Sequence, residues 1–298
     1  MNDSIKGVAA IVACCTVWGL SGLYYKLLEH IPPIEILAHR TLWSFIFFAA
    51  VLSVQGRLGL VRATLRSWRA ALVIGFAALM ISTNWFVFIT SIQIGRAMEA
   101  SLGYYIFPLV AVVLGMIAFR ERLDRAQAVA VALAVAAVVT LTVGLGVAPW
   151  IALILATSFG LYGLAKKGLD VGPVVSVTTE VLFLSPIALI VLWGFHADGQ
   201  GAYGTSWQDT ALLMFSGILT GLPLVLFSYG ARRVRLGTVG LVQYLNPTLQ
   251  FLVATFIFQE LFSLWHGIAF AMIWTALAIY TAASWRQDRA ARRALESS

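Results

Sequence analysis

Charged side chains are scarce in this chain: they make up 11% of its 298 residues against 60% hydrophobic ones, and residues 126–165 hold none. That composition excludes a soluble domain and places the chain in a bilayer. Cysteine is scarcer still. Cys14 and Cys15 are adjacent in one apolar run, which excludes a disulfide framework and offers no metal-ligand spacing. The four histidines, His30, His39, His196 and His266, are scattered, no Walker loop exists for ATP, and no Ser or Cys stands beside a recognisable base. No catalytic residue, metal or cofactor is therefore expected, and energy for any work must come from a gradient. Long polar stretches are also missing, so the chain has no extramembrane region to carry the output of a sensor or scaffold.

What is present is apolar sequence in spans. A membrane-crossing helix takes about 20 residues, and the uncharged stretch is interrupted by Gly144-Leu145-Gly146-Val147-Ala148-Pro149, so it reads as two helices joined by a tight turn. The same reading predicts ten helices, over residues 7–28, 35–54, 70–92, 97–119, 126–144, 149–166, 173–194, 210–230, 237–258 and 264–285. The first apolar run is followed by Lys26 rather than a small-residue cleavage site, so the first helix is expected to be retained.

Positive charge alternates along these spans. Only Lys26, Arg40 and Arg96 of the 20 Lys and Arg residues fall outside every second connection and the two ends. Lys and Arg of short loops stay cytoplasmic, which predicts an even helix count and both termini in the cytoplasm. The net charge of +7 is dispersed over membrane edges, so it implies no nucleic-acid partner.

The chain also repeats itself. Tyr105, Pro108, Phe119 and Glu121 recur 139 residues later as Tyr244, Pro247, Phe258 and Glu260. Gly19, Leu20, Gly22, Leu23 and Lys26 recur 141 residues later as Gly160, Leu161, Gly163, Leu164 and Lys167. Two units of five helices follow, over residues 1–145 and 146–286, with a basic tail at 287–298. Because five is odd, the second unit must enter the membrane from the opposite side. Such inverted repeats suit alternating access around a site near the midplane.

The block Asn84-Trp85-Phe86-Val87-Phe88-Ile89, the run from Gly95 to Leu109 (GRAMEASLGYYIFPL), the segment His39-Arg40-Thr41-Leu42-Trp43-Ser44 and Gln243-Tyr244-Leu245-Asn246-Pro247-Thr248 resemble the RarD branch of the EamA group in the drug/metabolite transporter superfamily. The resemblance covers nearly the whole chain. It implies a multi-pass permease of the bacterial inner membrane, built from two inverted five-helix EamA units, whose relatives export amino acids or other small metabolites. The branch is named for a chloramphenicol-sensitivity phenotype.

Polar residues inside the spans are the candidate site, because an ionisable group in hydrocarbon must be paired or face a wet cavity. Glu99 can carry a proton or meet a substrate amine; alternatively it pairs with Arg96, three residues earlier, at the membrane edge. Arg40 can hold a carboxylate through its planar fork, or snorkel to the headgroups. Glu180, 140 residues after Arg40, has a coupling role or a buried structural hydrogen bond. Trp43, Asn84, Trp85, Ser101, Tyr104, Tyr105, Tyr162, Gln243, Tyr244 and Asn246 complete the expected substrate-binding set. Pro108 and Pro247 are expected to gate, since each removes a backbone donor and frees a carbonyl four residues earlier. The glycine pairs Gly19 with Gly22 and Gly160 with Gly163 are read as helix-packing positions.

The sequence thus predicts a secondary transporter exporting small polar or amphipathic metabolites, amino acids leading. The alternatives are an amphenicol-type drug efflux permease and a membrane-embedded enzyme acting on a lipid carrier. A small-molecule substrate and membrane lipids are the expected partners, with a monomer as the working unit.

Overall fold

The computed structural model describes residues 3–119, 124–167, 169, 171–234 and 236–296. Glu121, one of the echoed residues, lies outside them. The described residues form helices and no strand, in the order α1 (Asp3–Leu27), α2 (Pro33–Val54), α3 (Leu58–Arg66), α4 (Trp68–Gln93), α5 (Ala97–Phe119), α6 (Arg125–Leu145), α7 (Trp150–Lys167), α8 (Pro173–Ala197), α9 (Trp207–Ala231), α10 (Leu236–Gln243), α11 (Leu245–Leu252), a π-helical turn (Val253–Ile257) and α12 (Leu264–Glu296).

Local sequence sets the helix ends. Pro33 and Pro173 stand in the first turns of α2 and α8, where a missing N–H costs nothing. Ser206 accepts from Asp209 N at the start of α9, and Asp124 and Gln127 form a reciprocal box at the start of α6. Gly146 closes α6 at φ 68°, a left-handed conformation that a side chain would oppose.

Eight of these helices, α1, α2, α4, α5, α6, α8, α9 and α12, are long and apolar enough to cross a membrane by length and composition. The other two predicted spans differ from them. The 18 residues of α7 end on Lys166 and Lys167, and the predicted 237–258 helix is broken at Tyr244 into α10 and α11 before the π-helical turn. The short α3 occupies sequence read as a basic connection.

Packing follows the sequence echo. Helix α5 lies on α7 as α11 lies on α1, α4 lies on α7 as α9 lies on α1, and α4 lies on α8 as α9 lies on α2. Helices α2 and α8, α5 and α11, and α6 and α12 meet their own counterparts. Gly19 and Gly160 show this equivalence at atomic scale. A Cβ on Gly19 would stand 2.7 Å from Leu249 of α11, and one on Gly160 would stand 2.7 Å from Leu114 of α5. Both permit a close helix approach. Gly163 does not, since nothing lies within 4 Å of where its Cβ would stand.

The ends of the bundle show which way each helix runs. Gln93 at the end of α4 donates to the carbonyls of Leu28 and Ile31 just beyond α1, Glu35 at the start of α2 accepts from Ala202 N beyond α8, and Glu99 at the start of α5 accepts from Ile151 N at the start of α7. One face therefore collects the end of α1 and the start of α7, so these echoed helices run in opposite directions. The opposite face carries Lys6, Arg57, Arg125, Lys167 and Arg233.

Candidate functional site

Arg40 is the eighth residue of α2, about 10 Å from the helix start at 1.5 Å per residue. Its side chain is turned into the bundle and is only 7% exposed, not directed along the helix toward the membrane edge. Nη1 donates to the Tyr25 hydroxyl at 2.7 Å, and the guanidinium lies 4.1 Å from the centre of the Trp85 ring and 5.8 Å from that of Tyr25. Such π contacts stabilise a desolvated cation by about 2 kcal/mol, less than the several kcal/mol that burial of an ion costs. No carboxylate among the described residues comes within 4.0 Å of Arg40, and its buried Nε has no partner.

Beside it the Tyr104 hydroxyl donates to Asn84 Oδ1 at 2.8 Å, while Asn84 Nδ2 donates to Leu155 O at 2.9 Å and to Ser158 Oγ at 3.1 Å. Phe88 stands between Tyr25 and Tyr104, edge-on to each. Four expected residues, Arg40, Asn84, Trp85 and Tyr104, are thus brought together.

The aromatic row continues from Tyr104 through Phe159 to Tyr162, whose rings stack at 5.9 Å. Tyr162 donates to Glu180 Oε2 at 3.2 Å, and Lys166 Nζ reaches Glu180 Oε1 and the Tyr162 hydroxyl at 2.8 and 2.7 Å. Ser176 adds a fourth bond at 2.8 Å. Glu180 is 1% exposed but fully paired, which favours the structural reading of this residue.

The remaining expected residues make other contacts. Glu99 pairs with Arg96 at 2.5 Å and caps α7 through Ile151 N at 2.9 Å, so its carboxylate is committed to the edge ion pair and a helix N-terminus. Ser101 donates to the Pro247 carbonyl at 2.8 Å, and Tyr105 shares a hydrogen bond of 2.7 Å with Thr248. Trp43 packs over Gly217 of α9, Gln243 is exposed, Tyr244 packs against the main core at the break, and Asn246 Oδ1 accepts from Gln250. Pro108 sits inside an unbroken α5, whereas Pro247 follows the break at Tyr244, so the two prolines do not make equivalent interruptions. At that same end Glu260 accepts from Ala97 N at 2.6 Å and Met98 N at 2.8 Å, tying the segment after the π-helical turn to α5.

Sequence reasoning missed Tyr25, Ser158, Lys166 and Glu260 as members of these polar clusters. Tyr25 and Lys166 had a usable signal: they stand 141 residues apart, immediately before the echoed pair Lys26 and Lys167.

The model of the EamA-like transporter family matches residues 5–143 and again residues 147–282. The chain belongs to this family. As an EamA protein it is 41% identical over 295 residues to "Uncharacterized transporter YojE" of Bacillus subtilis, covering 97% of this chain and 98% of that one. It is 40% identical over 276 residues to "Protein RarD" of Salmonella typhimurium, covering 92% of this chain and 94% of the relative. "Chloramphenicol-sensitive protein RarD" of Pseudomonas aeruginosa matches at 29% identity over 287 residues, 94% of each chain. This EamA chain is therefore a RarD homologue and a transporter-family membrane protein.

Proposed function

We propose that the chain is a secondary transporter that recognises small metabolites bearing a carboxylate, amino acids foremost, and releases them from the cell by alternating access. The observation that carries this reading is Arg40, a buried guanidinium with a free Nε and no carboxylate partner among the described residues. An arginine fork binds a planar carboxylate in two places, and such a ligand supplies the charge that the protein withholds. Trp85, Tyr25 and Tyr104 form an aromatic wall for the rest of the molecule, and Asn84 fixes the Tyr104 hydroxyl. Glu99 and Glu180 serve as structural partners in this reading, while Ser101 and Pro247 join α5 to the broken helix that moves.

The proposed frame has ten spans, with α7 and the α10–α11 segment crossing alongside the eight apolar helices, as two inverted units over residues 1–145 and 146–286. The basic face is cytoplasmic and holds both termini, with residues 287–298 as a basic tail, in a bacterial inner membrane. The working unit is a monomer with no catalytic role.

The test is flux from proteoliposomes loaded with amino acids or with an amphenicol, with and without a pH gradient. Carboxylate-bearing substrates should move and Arg40→Gln should abolish their movement. A second reading, amphenicol efflux, draws on the name of the Pseudomonas aeruginosa relative and on the aromatic wall. Amphenicol flux that survives Arg40→Gln, without amino-acid flux, would select it.

A further inference from the structure

A pocket of ≈ 400 Å³ lies away from Arg40, between α2, the last turns of α8 and the connection that follows α8. Its α2 wall is the stripe Glu35, His39, Leu42 and Ile46, spaced three to four residues apart on one helix face, widened by Trp43 at its edge. Arg40 is displaced from that stripe by about a third of a turn and faces Tyr25 instead.

The polarity of the pocket is graded. At the helix ends it presents Glu35, His39 and His196, and deeper it presents Ile46 and Leu189. Glu35 to Ile46 spans about 16 Å along α2 and His196 to Leu189 about 10 Å along α8, at 1.5 Å per residue. The two antiparallel helices therefore run from polar to apolar in the same sense. Ile46, Leu189 and Trp193 are 52%, 57% and 75% exposed, so the apolar end opens sideways from the bundle.

Glu35 supplies the chemical demand. Glu35 is 1% exposed, Oε1 accepts from Ala202 N at 2.7 Å, and Oε2 is buried near the Tyr203 N–H without a hydrogen bond of good geometry. An acceptor without a well-formed bond at the head of an apolar groove suits a ligand with an N–H donor and a hydrocarbon tail.

We propose that this groove is a specific site for a phospholipid with a primary ammonium headgroup, phosphatidylethanolamine in chemical terms. Its ammonium donates to Glu35 Oε2, its phosphate lies at the mouth beside His196, and the upper part of one chain follows Ile46 and Leu189. The volume suits a headgroup and part of a chain, not a whole lipid. The site would anchor the α8–α9 connection against α2 through Ala202 and through Tyr203, which stacks on His39 at 5.0 Å. This inference is independent of the substrate reading. Only the leaflet depends on the proposed orientation.

The test is native mass spectrometry of the purified full chain with phosphatidylethanolamine and phosphatidylcholine of identical chains, and with dodecylamine as a free amine. Choline has no N–H to donate. Wild type should retain the ethanolamine lipid about tenfold better than the choline lipid, a difference of about 1.4 kcal/mol. Glu35→Gln should erase that preference. Leu189→Trp, at an exposed position that leaves folding intact, should weaken retention of both lipids. Equal retention of the two lipids by wild type would overturn the proposal, as would unchanged retention by Leu189→Trp. Dodecylamine bound as tightly as the ethanolamine lipid would replace the lipid with a soluble amphipathic amine.

Discussion

Arg40 and Glu180 hold echoed positions, and each bonds to the preceding long helix through residues that are themselves echoed: Arg40 to Tyr25, 15 residues earlier, and Glu180 to Lys166, 14 residues earlier. The two sites differ in charge balance. Lys166 neutralises Glu180, whereas Tyr25 offers Arg40 a hydroxyl and no charge. A substrate carboxylate would complete the first site as Lys166 completes the second. That asymmetry, on a repeated scaffold, is why binding is assigned to Arg40.

Replacing Arg40 should therefore cost affinity more than stability. Arg40→Lys keeps a charge but loses the fork, and Arg40→Gln loses both. Truncating one member of a desolvated charge pair costs about 2–5 kcal/mol, so Arg40→Gln should weaken carboxylate binding about 30-fold or more, with Arg40→Lys between it and wild type. Isothermal titration in detergent checks the order; a lysine variant equal to wild type would remove the bidentate role.

The Glu180 site should behave in the opposite way. Lys166→Met strands a carboxylate that is 1% exposed, a loss of about 3–5 kcal/mol for a buried pair, moderated here because Lys166 is 21% exposed. Lys166→Met with Glu180→Gln should recover most of that loss. Thermal unfolding of the two variants decides it. A double variant no better than the single one would mean that Lys166 does not act through Glu180.

Much of this architecture is legible in the sequence because hydropathy reports spans directly. The predicted 35–54 and 126–144 became Pro33–Val54 and Arg125–Leu145. The nine-residue α3 escapes a hydropathy reading because its Leu58, Leu60, Val61 and Leu65 are too few for a span and are interrupted by Arg62 and Arg66. The break at Tyr244 escaped because only packed neighbours reveal it. Among the site residues, Arg40 was found from its rarity, but snorkelling and inward burial share one sequence position; only the rotation of α2 separates them. Gln243, expected beside the site from its place near Pro247, is exposed and ends α10 just before the break.

Glu260 gives the bundle a pH dependence. Burial raises its carboxyl above the ordinary 4.5, against the opposing pull of the Met98 and Ala97 N–H groups and the charges of Lys26 and Arg96. A group raised in the folded state stabilises fully below its unfolded pKa, and that contribution fades as pH rises through the folded value. Melting temperature should therefore fall from pH 4.5 upward in wild type by more than in Glu260→Gln. Parallel curves would show that Glu260 does not titrate in this window.

Ser101 should matter through the Pro247 carbonyl. Ser101→Ala removes the side-chain hydrogen bond to that carbonyl, a loss of about 0.5–1.5 kcal/mol, and should loosen α11 against α5. Hydrogen exchange in residues 245–252 should rise while that of α8 stays constant. Uniform exchange across both segments would place the effect in global stability instead.

The central claim is that a ligand carboxylate completes Arg40, and thermal-shift measurement with matched acid and amide pairs of each amino acid tests it most directly. The acids should stabilise wild type, the amides should not, and Arg40→Gln should respond to neither. Equal stabilisation by acid and amide, or an acid response that persists in Arg40→Gln, would contradict it.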